Sequence, residues 1–155
     1  MKQLVLKLVF PLTIMSFLLF TKWWYVLVVD GPDTIMYGFP LIYTCQGFHT
    51  SMSSQFFLLE LSVDLAVYFL FWLGVVYLIH RFVWHIRIPK VITILLFIVT
   101  LLLLGFNMLF VVNPDNLFSC KRDFGVDIMK TGFKWDWQRQ EHPDYYDYHP
   151  EKRKQ

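Results

Sequence analysis

Leu4-Val5-Leu6-Lys7-Leu8-Val9-Phe10-Pro11-Leu12-Thr13-Ile14-Met15-Ser16-Phe17-Leu18-Leu19-Phe20-Thr21-Lys22-Trp23-Trp24-Tyr25-Val26-Leu27-Val28-Val29 runs through the first part of the chain with only Lys7 and Lys22 charged. At about 1.5 Å of rise per residue, about 20 apolar residues cross a hydrocarbon layer of about 30 Å, so the run predicts a transmembrane helix over residues 4–29. Pro11 withholds one backbone donor and is expected to kink that helix, which membrane helices tolerate where neighbours satisfy the freed carbonyl. The run is longer than a signal-peptide core and no small-x-small cleavage site follows Phe20, so it reads as an uncleaved anchor.

Residues 56–79 and 91–112 form two more runs of the same kind. Composition agrees: 56% hydrophobic and 19% aromatic residues exceed what a soluble domain of this size carries. The expected fold class is therefore all-α and integral to a membrane, with three transmembrane helices at 4–29, 56–79 and 91–112. Residues 1–112 make the membrane domain, with an ordered outer loop at 30–55 and a connector at 80–90. Residues 113–155 make a polar, mostly irregular C-terminal tail, too short for an independent domain.

Lys and Arg set the expected orientation. The connector holds Arg81, Arg87 and Lys90, whereas residues 23–80 contain neither type. By the positive-inside rule the connector and N-terminus are cytoplasmic, and the loop and C-terminus extracytoplasmic. Arg81, Trp84, Arg87 and Lys90 are then expected at lipid headgroups, Trp84 as an interfacial anchor. Cys45 and Cys120 fall on one side in this arrangement. If that side is oxidising they are candidates for a disulfide, with two unrelated thiols the alternative. The absence of Cys-x-x-Cys argues against redox catalysis.

The second run carries the polar groups of most chemical interest. Glu60, Asp64 and Tyr68 stand at i, i+4 and i+8, which stacks them on one face of a helix. Counted from Phe56, the two acids would lie about 6 Å and about 12 Å into the apolar layer. An acid there costs about 2.5–3.5 kcal/mol on insertion scales, so each should face a partner or a wet crevice. Lys22 on the first run stands at matching depth and Asn107 near the outer end of the third, which predicts an intramembrane layer of Lys22, Glu60, Asp64, Tyr68 and Asn107. The competing reading places Lys22 at the outer interface beside Trp23-Trp24-Tyr25, its ammonium reaching water.

The loop quotes Gly38-Phe39-Pro40-Leu41, and the following helix Asp64-Leu65-Ala66-Val67-Tyr68-Phe69-Leu70-Phe71-Trp72. Together they resemble a pattern in small bacterial integral-membrane proteins without an assigned activity, over about residues 30–80. The resemblance implies a bacterial inner membrane and a structured outer loop, and no reaction. Ser51 to Ser54 offer N-caps for the second helix.

His49, His80, His85, His142 and His149 show no His-x-x-x-His or Cys/His zinc spacing, so neither a metal nor a cofactor is expected. In the tail, Asn113-Pro114-Asp115-Asn116 stops the third helix, and Phe133-Lys134-Trp135-Asp136-Trp137 alternates as a strand or interface segment does. The tail balances eight Lys and Arg against eight Asp and Glu, which argues against nucleic acid. With no nucleophile and base at a workable spacing, no enzyme is expected. Two functions remain. One is an accessory or scaffold subunit acting by helix packing and outer-side contacts with a membrane-protein partner or a second copy. The alternative is an oligomeric transport or proton-handling module using the Glu60/Asp64 face.

Overall fold

The computed structural model describes residues 2–29, 33–48, 50, 52–83 and 88–138. The long opening run is not one element. Helix α1 (Lys2–Leu19) stops at Phe20, whose φ of −132° and ψ of 122° are extended, and the chain continues as strand β1 (Phe20–Val28). The β-branched and aromatic residues from Thr21 to Val28 favour a pleated strand once a partner is present. Ahead of Pro11, α1 widens into a π-helical turn at Val5–Val9, where the Phe10 N–H reaches back five residues to the Val5 carbonyl. That wider turn makes room for the proline ring against the preceding carbonyls.

The expected outer loop contains β2 (Asp33–Tyr37), β3 (Thr44–Gln46) and β4 (Ser54–Phe57). Strand β4 runs directly into α2 (Leu58–Val83), and α3 (Lys90–Val111) follows. No serine caps α2; its N-cap is Phe57, in extended conformation. After α3 come β5 (Leu117–Ser119) and β6 (Val126–Trp135). These strands form a single sheet in the order β5-β4-β3-β2-β1-β6, antiparallel except for β4–β5.

The fold is thus not all-α: it is a mixed six-stranded sheet with three helices joined to one end. The tail is not mostly irregular through residue 135, since β6 pairs along all of β1, from Phe20 opposite Trp135 to Val28 opposite Val126. The sheet crosses the expected boundary at 112, taking strands from both sides of it. Hydropathy could not separate these cases, because a buried strand and a membrane span are equally apolar. All three helices remain long and apolar enough to cross a membrane.

Register fixes which end of the sheet meets the helices. Phe20, Tyr37, Thr44 and Phe57 lie toward the helices, while Leu27 and Asp33 pair at the far end. One sheet face carries the core, Val26, Met36, Cys45 and Phe57, covered by Ile42 and by Phe124 from the crossing between β5 and β6. The Val29 N–H donates to Gly125 O at 3.2 Å and holds that crossing at the far end. Helix α1 packs against both α2 and α3. Helix α3 buries only Thr100, leaving residues such as Leu101, Leu102 and Leu109 about two-thirds exposed or more.

Asn116 closes the turn after α3. Its Nδ2 donates to the carbonyls of Phe110 (2.8 Å) and Val111 (3.0 Å), two acceptors left open at the helix end, and its Oδ1 accepts the Ser54 N–H at 2.8 Å. One buried amide therefore stops the helix and ties it to β4.

Candidate functional site

The polar face of α2 is built around Asp64, which is fully buried. Its Oδ2 accepts the Phe39 N–H at 2.6 Å and its Oδ1 the Leu41 N–H at 2.9 Å. The two donors flank Pro40, which has no N–H of its own, so the carboxylate bridges the turn across the proline. The turn is held from its other side as well: Gly38 N–H donates to Lys22 O (2.9 Å), and Trp24 Nε1 donates to Gly38 O (2.8 Å). Gly38 has φ +148°, and a Cβ there would lie 1.9 Å from Leu41 O, so only glycine fits. Gly-Phe-Pro-Leu and the distant aspartate are thus two halves of one clamp.

Tyr68, one turn along, donates its hydroxyl to Phe20 O at 2.7 Å, the residue at which α1 becomes β1. One turn farther, Trp72 Nε1 donates to Ser16 Oγ at 2.8 Å. Asp64, Tyr68 and Trp72 therefore fasten α2 to the loop, to the helix–strand junction and to α1 in turn. Trp72 and Ser16 were not foreseen, although the four-residue spacing runs on through Trp72 to the buried Val76. Aromatic rings pack around the level of Tyr68: Phe17 meets it edge-on at 5.6 Å, Phe39 at 6.2 Å, and Phe20 stacks on Phe133 at 5.4 Å. Burial chiefly, and the neighbouring Asp64 carboxylate second, push the Tyr43 phenol far above its usual value.

The other expected members of the polar layer do not join Asp64. Lys22 is on β1 rather than on a membrane helix, and its Nζ sits 3.5 Å over the Trp24 ring. Glu60 is in the first turn of α2, where the helix dipole favours an acid; its Oε1 accepts the Arg122 N–H at 3.4 Å, and its Oε2 is buried with no hydrogen-bond partner. Asn107 donates to Leu103 O within α3 at 3.0 Å. The expected cation–acid–amide layer is replaced by side chain-to-backbone bonds that hold the fold.

Cys45 and Cys120 are both free, the first buried and the second exposed. Cys45 pairs with Gln55 and Gln55 with Leu117, so β4 separates the two thiols' strands and Cys120 lies three residues beyond Leu117. Two strand spacings alone are about 10 Å, beyond the reach of a disulfide of about 7 Å between Cα atoms. Burial pushes the Cys45 thiol up to about 11, against a smaller opposing pull from Arg122. Arg81 and Lys90 are exposed at the helix ends away from the sheet. Trp84, Arg87, His49, His85, His142 and His149, with residues 139–155, lie outside the described residues. Among the described residues no group of three His, Cys, Asp or Glu side chains is placed to hold a metal ion.

On the sheet face opposite the core, a partly enclosed groove of about 880 Å³ lies between the strands and the sheet-proximal ends of all three helices. Asn107 faces this groove. Comparison with protein-family models, curated proteins and solved structures finds no match.

Proposed function

We propose that the protein is an integral-membrane scaffold or accessory subunit without catalytic activity. Its three helices lie in the bilayer of a bacterial inner membrane, and its sheet stands on the extracytoplasmic side as a platform for another membrane protein or a second copy. The observation that carries this reading is the commitment of the α2 polar side chains to the fold: Asp64, Tyr68 and Trp72 each hold a different segment against α2. A transport module needs acids that exchange protons or ions, and the buried Asp64 is already engaged by two backbone donors.

Contact surfaces support the same reading. Helix α3 exposes apolar side chains on nearly every side, which calls for lipid or neighbouring helices. Strand β6 is a ten-residue sheet edge with Ile128, Phe133 and Trp135 about half exposed, a template on which another chain can add a strand. Orientation follows from Arg81 and Lys90, which stand at the helix ends remote from the sheet.

The test is site-specific photo-cross-linking in intact membranes from Leu102 on α3 and Ile128 on β6, alongside flux measurements in liposomes. One and the same partner caught from both positions, with no flux, is the expected result. Ion or proton flux that disappears in the combined Glu60→Gln and Asp64→Asn protein would replace this reading with transport.

A further inference from the structure

Five aromatic rings form a row at the helix end of β6. Phe39 packs on Phe133 at 5.3 Å, Phe133 stacks on Phe20 at 5.4 Å, and Phe20 meets Trp135, which stacks on Trp137, each at 5.1 Å between ring centroids. The rings at the end of the strand are exposed: Phe133 by 53%, Trp135 by 43% and Trp137 by 69%. The indole N–H groups of Trp24 and Trp72 donate to Gly38 O and Ser16 Oγ, whereas those of Trp135 and Trp137 have no acceptor among the described residues. Backbone pairing fixes the level of the row. Trp135 lies opposite Phe20, where α1 becomes β1, and the Asp136 N–H donates at 2.8 Å to the carbonyl of Leu19, the last residue of that helix.

We propose that Phe133, Trp135 and Trp137 are an interfacial anchor, seated in the lipid headgroup layer on the sheet side of the bilayer. An indole suits that layer, because its ring is apolar and its N–H meets phosphate and ester oxygens. Exposure alone would suit a protein partner equally well. Depth favours lipid: α1 is of membrane length and ends at Leu19, so the residues bonded beside Leu19 and Phe20 stand where the hydrocarbon layer gives way to headgroups. The chain that leaves the bilayer at the end of α3 therefore returns to it at the end of β6. The inference rests on the membrane reading of the three helices, and it narrows the edge open to a partner. Ile128 is on the same sheet face, opposite Val26, six residues beyond Phe20 along β1. At about 3.3 Å per residue that places it about 20 Å from the level of Trp135, against a headgroup layer of about 5–8 Å on each side. Only residues 126–131 of β6 are then left in water for another chain's strand.

The test places the photoreactive residue benzoylphenylalanine, one position at a time, in place of Trp137, Ile128 and, on α3, Leu102. Each full chain is reconstituted in vesicles of phosphatidylethanolamine and phosphatidylglycerol without any other protein, irradiated, and its covalent lipid adducts are counted by mass spectrometry. The Trp137 position should give about tenfold or more lipid adduct than the Ile128 position, which the anchor holds in water. If the change at Trp137 disturbs the fold, Phe133 takes its place, since there the probe only enlarges an existing, half-exposed ring. Equal yields at the two ends of β6, or adducts from the Leu102 position alone, overturn the anchor and leave the membrane reading standing. Lipid adducts from none of the three positions overturn the membrane reading itself, and the anchor with it.

Discussion

Replacing Asp64 with alanine removes both acceptors for the Phe39 and Leu41 amides, the two hydrogen bonds that the side chain makes among the described residues. Hydrogen bonds to a charged group contribute about 1.5–3 kcal/mol each, so losing two weakens the clamp by about 3 kcal/mol at the low end of that range. If the turn then opens locally, exchange of those two amides should accelerate about 100-fold, since about 1.4 kcal/mol corresponds to a factor of ten. Asp64→Asn keeps one carbonyl oxygen but turns an NH2 toward the other amide, and should lie between, at about tenfold. The assay is hydrogen exchange read by mass spectrometry on peptides covering residues 38–43, with the Tyr25 region of β1 as the internal control. The control should not change, because β1 is held independently by β2 and β6. Amide exchange in Asp64→Ala within about threefold of the parent would refute the clamp, and acceleration of the control to the same degree would mean global unfolding instead.

Gly38→Ala should cost about 2 kcal/mol or more, because the added Cβ meets the Leu41 carbonyl at 1.9 Å and the φ of +148° suits only glycine; a thermal melt equal to the parent's would contradict this. Asn116→Ala forfeits three hydrogen bonds at about 1 kcal/mol each, and should lower stability by about 2–3 kcal/mol in a denaturation curve followed by circular dichroism. Under native conditions a maleimide should modify Cys120 fast and leave Cys45 largely untouched, with non-reducing gels showing no internal bridge; equal labelling rates would disprove the burial argument. The sign of the pH effect follows from the Cys45 thiol being raised to about 11 from 9.0: its contribution to stability is complete below pH 9 and is lost as pH rises through about 11, so alkaline unfolding should be delayed in Cys45→Ala relative to the parent after correction for their difference at pH 7.

Sequence made two of the three helices legible to within about four residues at either end, because α2 and α3 are long, uninterrupted and predominantly apolar. It failed at residues 20–28, where Trp, Tyr and Val satisfy a hydropathy window and a strand equally well. What decides between them is β6, a partner so far along the chain that no local pattern reveals it. Strand β3 has three residues and exists only because β2 and β4 flank it. The acid face of α2 was visible from its spacing, but its meaning depended on depth. Once Lys22 moved from a helix to a strand, the depth match with Glu60 and Asp64 vanished, and the backbone of the Gly-Phe-Pro-Leu turn took the cation's place. A main-chain N–H carries no sequence signature, which is why that partner escaped notice.

The path from β4 down α2, back up α3 and around Asn116 into β5 joins two parallel strands by an excursion through a pair of membrane-length rods. In most folds the same topological task falls to one surface helix lying against the sheet. Here the detour leaves the sheet altogether, so severing the rods from the rest unlinks neighbouring strands. Trimming the chain to obtain a water-soluble head is therefore futile; such a fragment would need its wiring redrawn, with a new bridge from Phe57 back to Leu117.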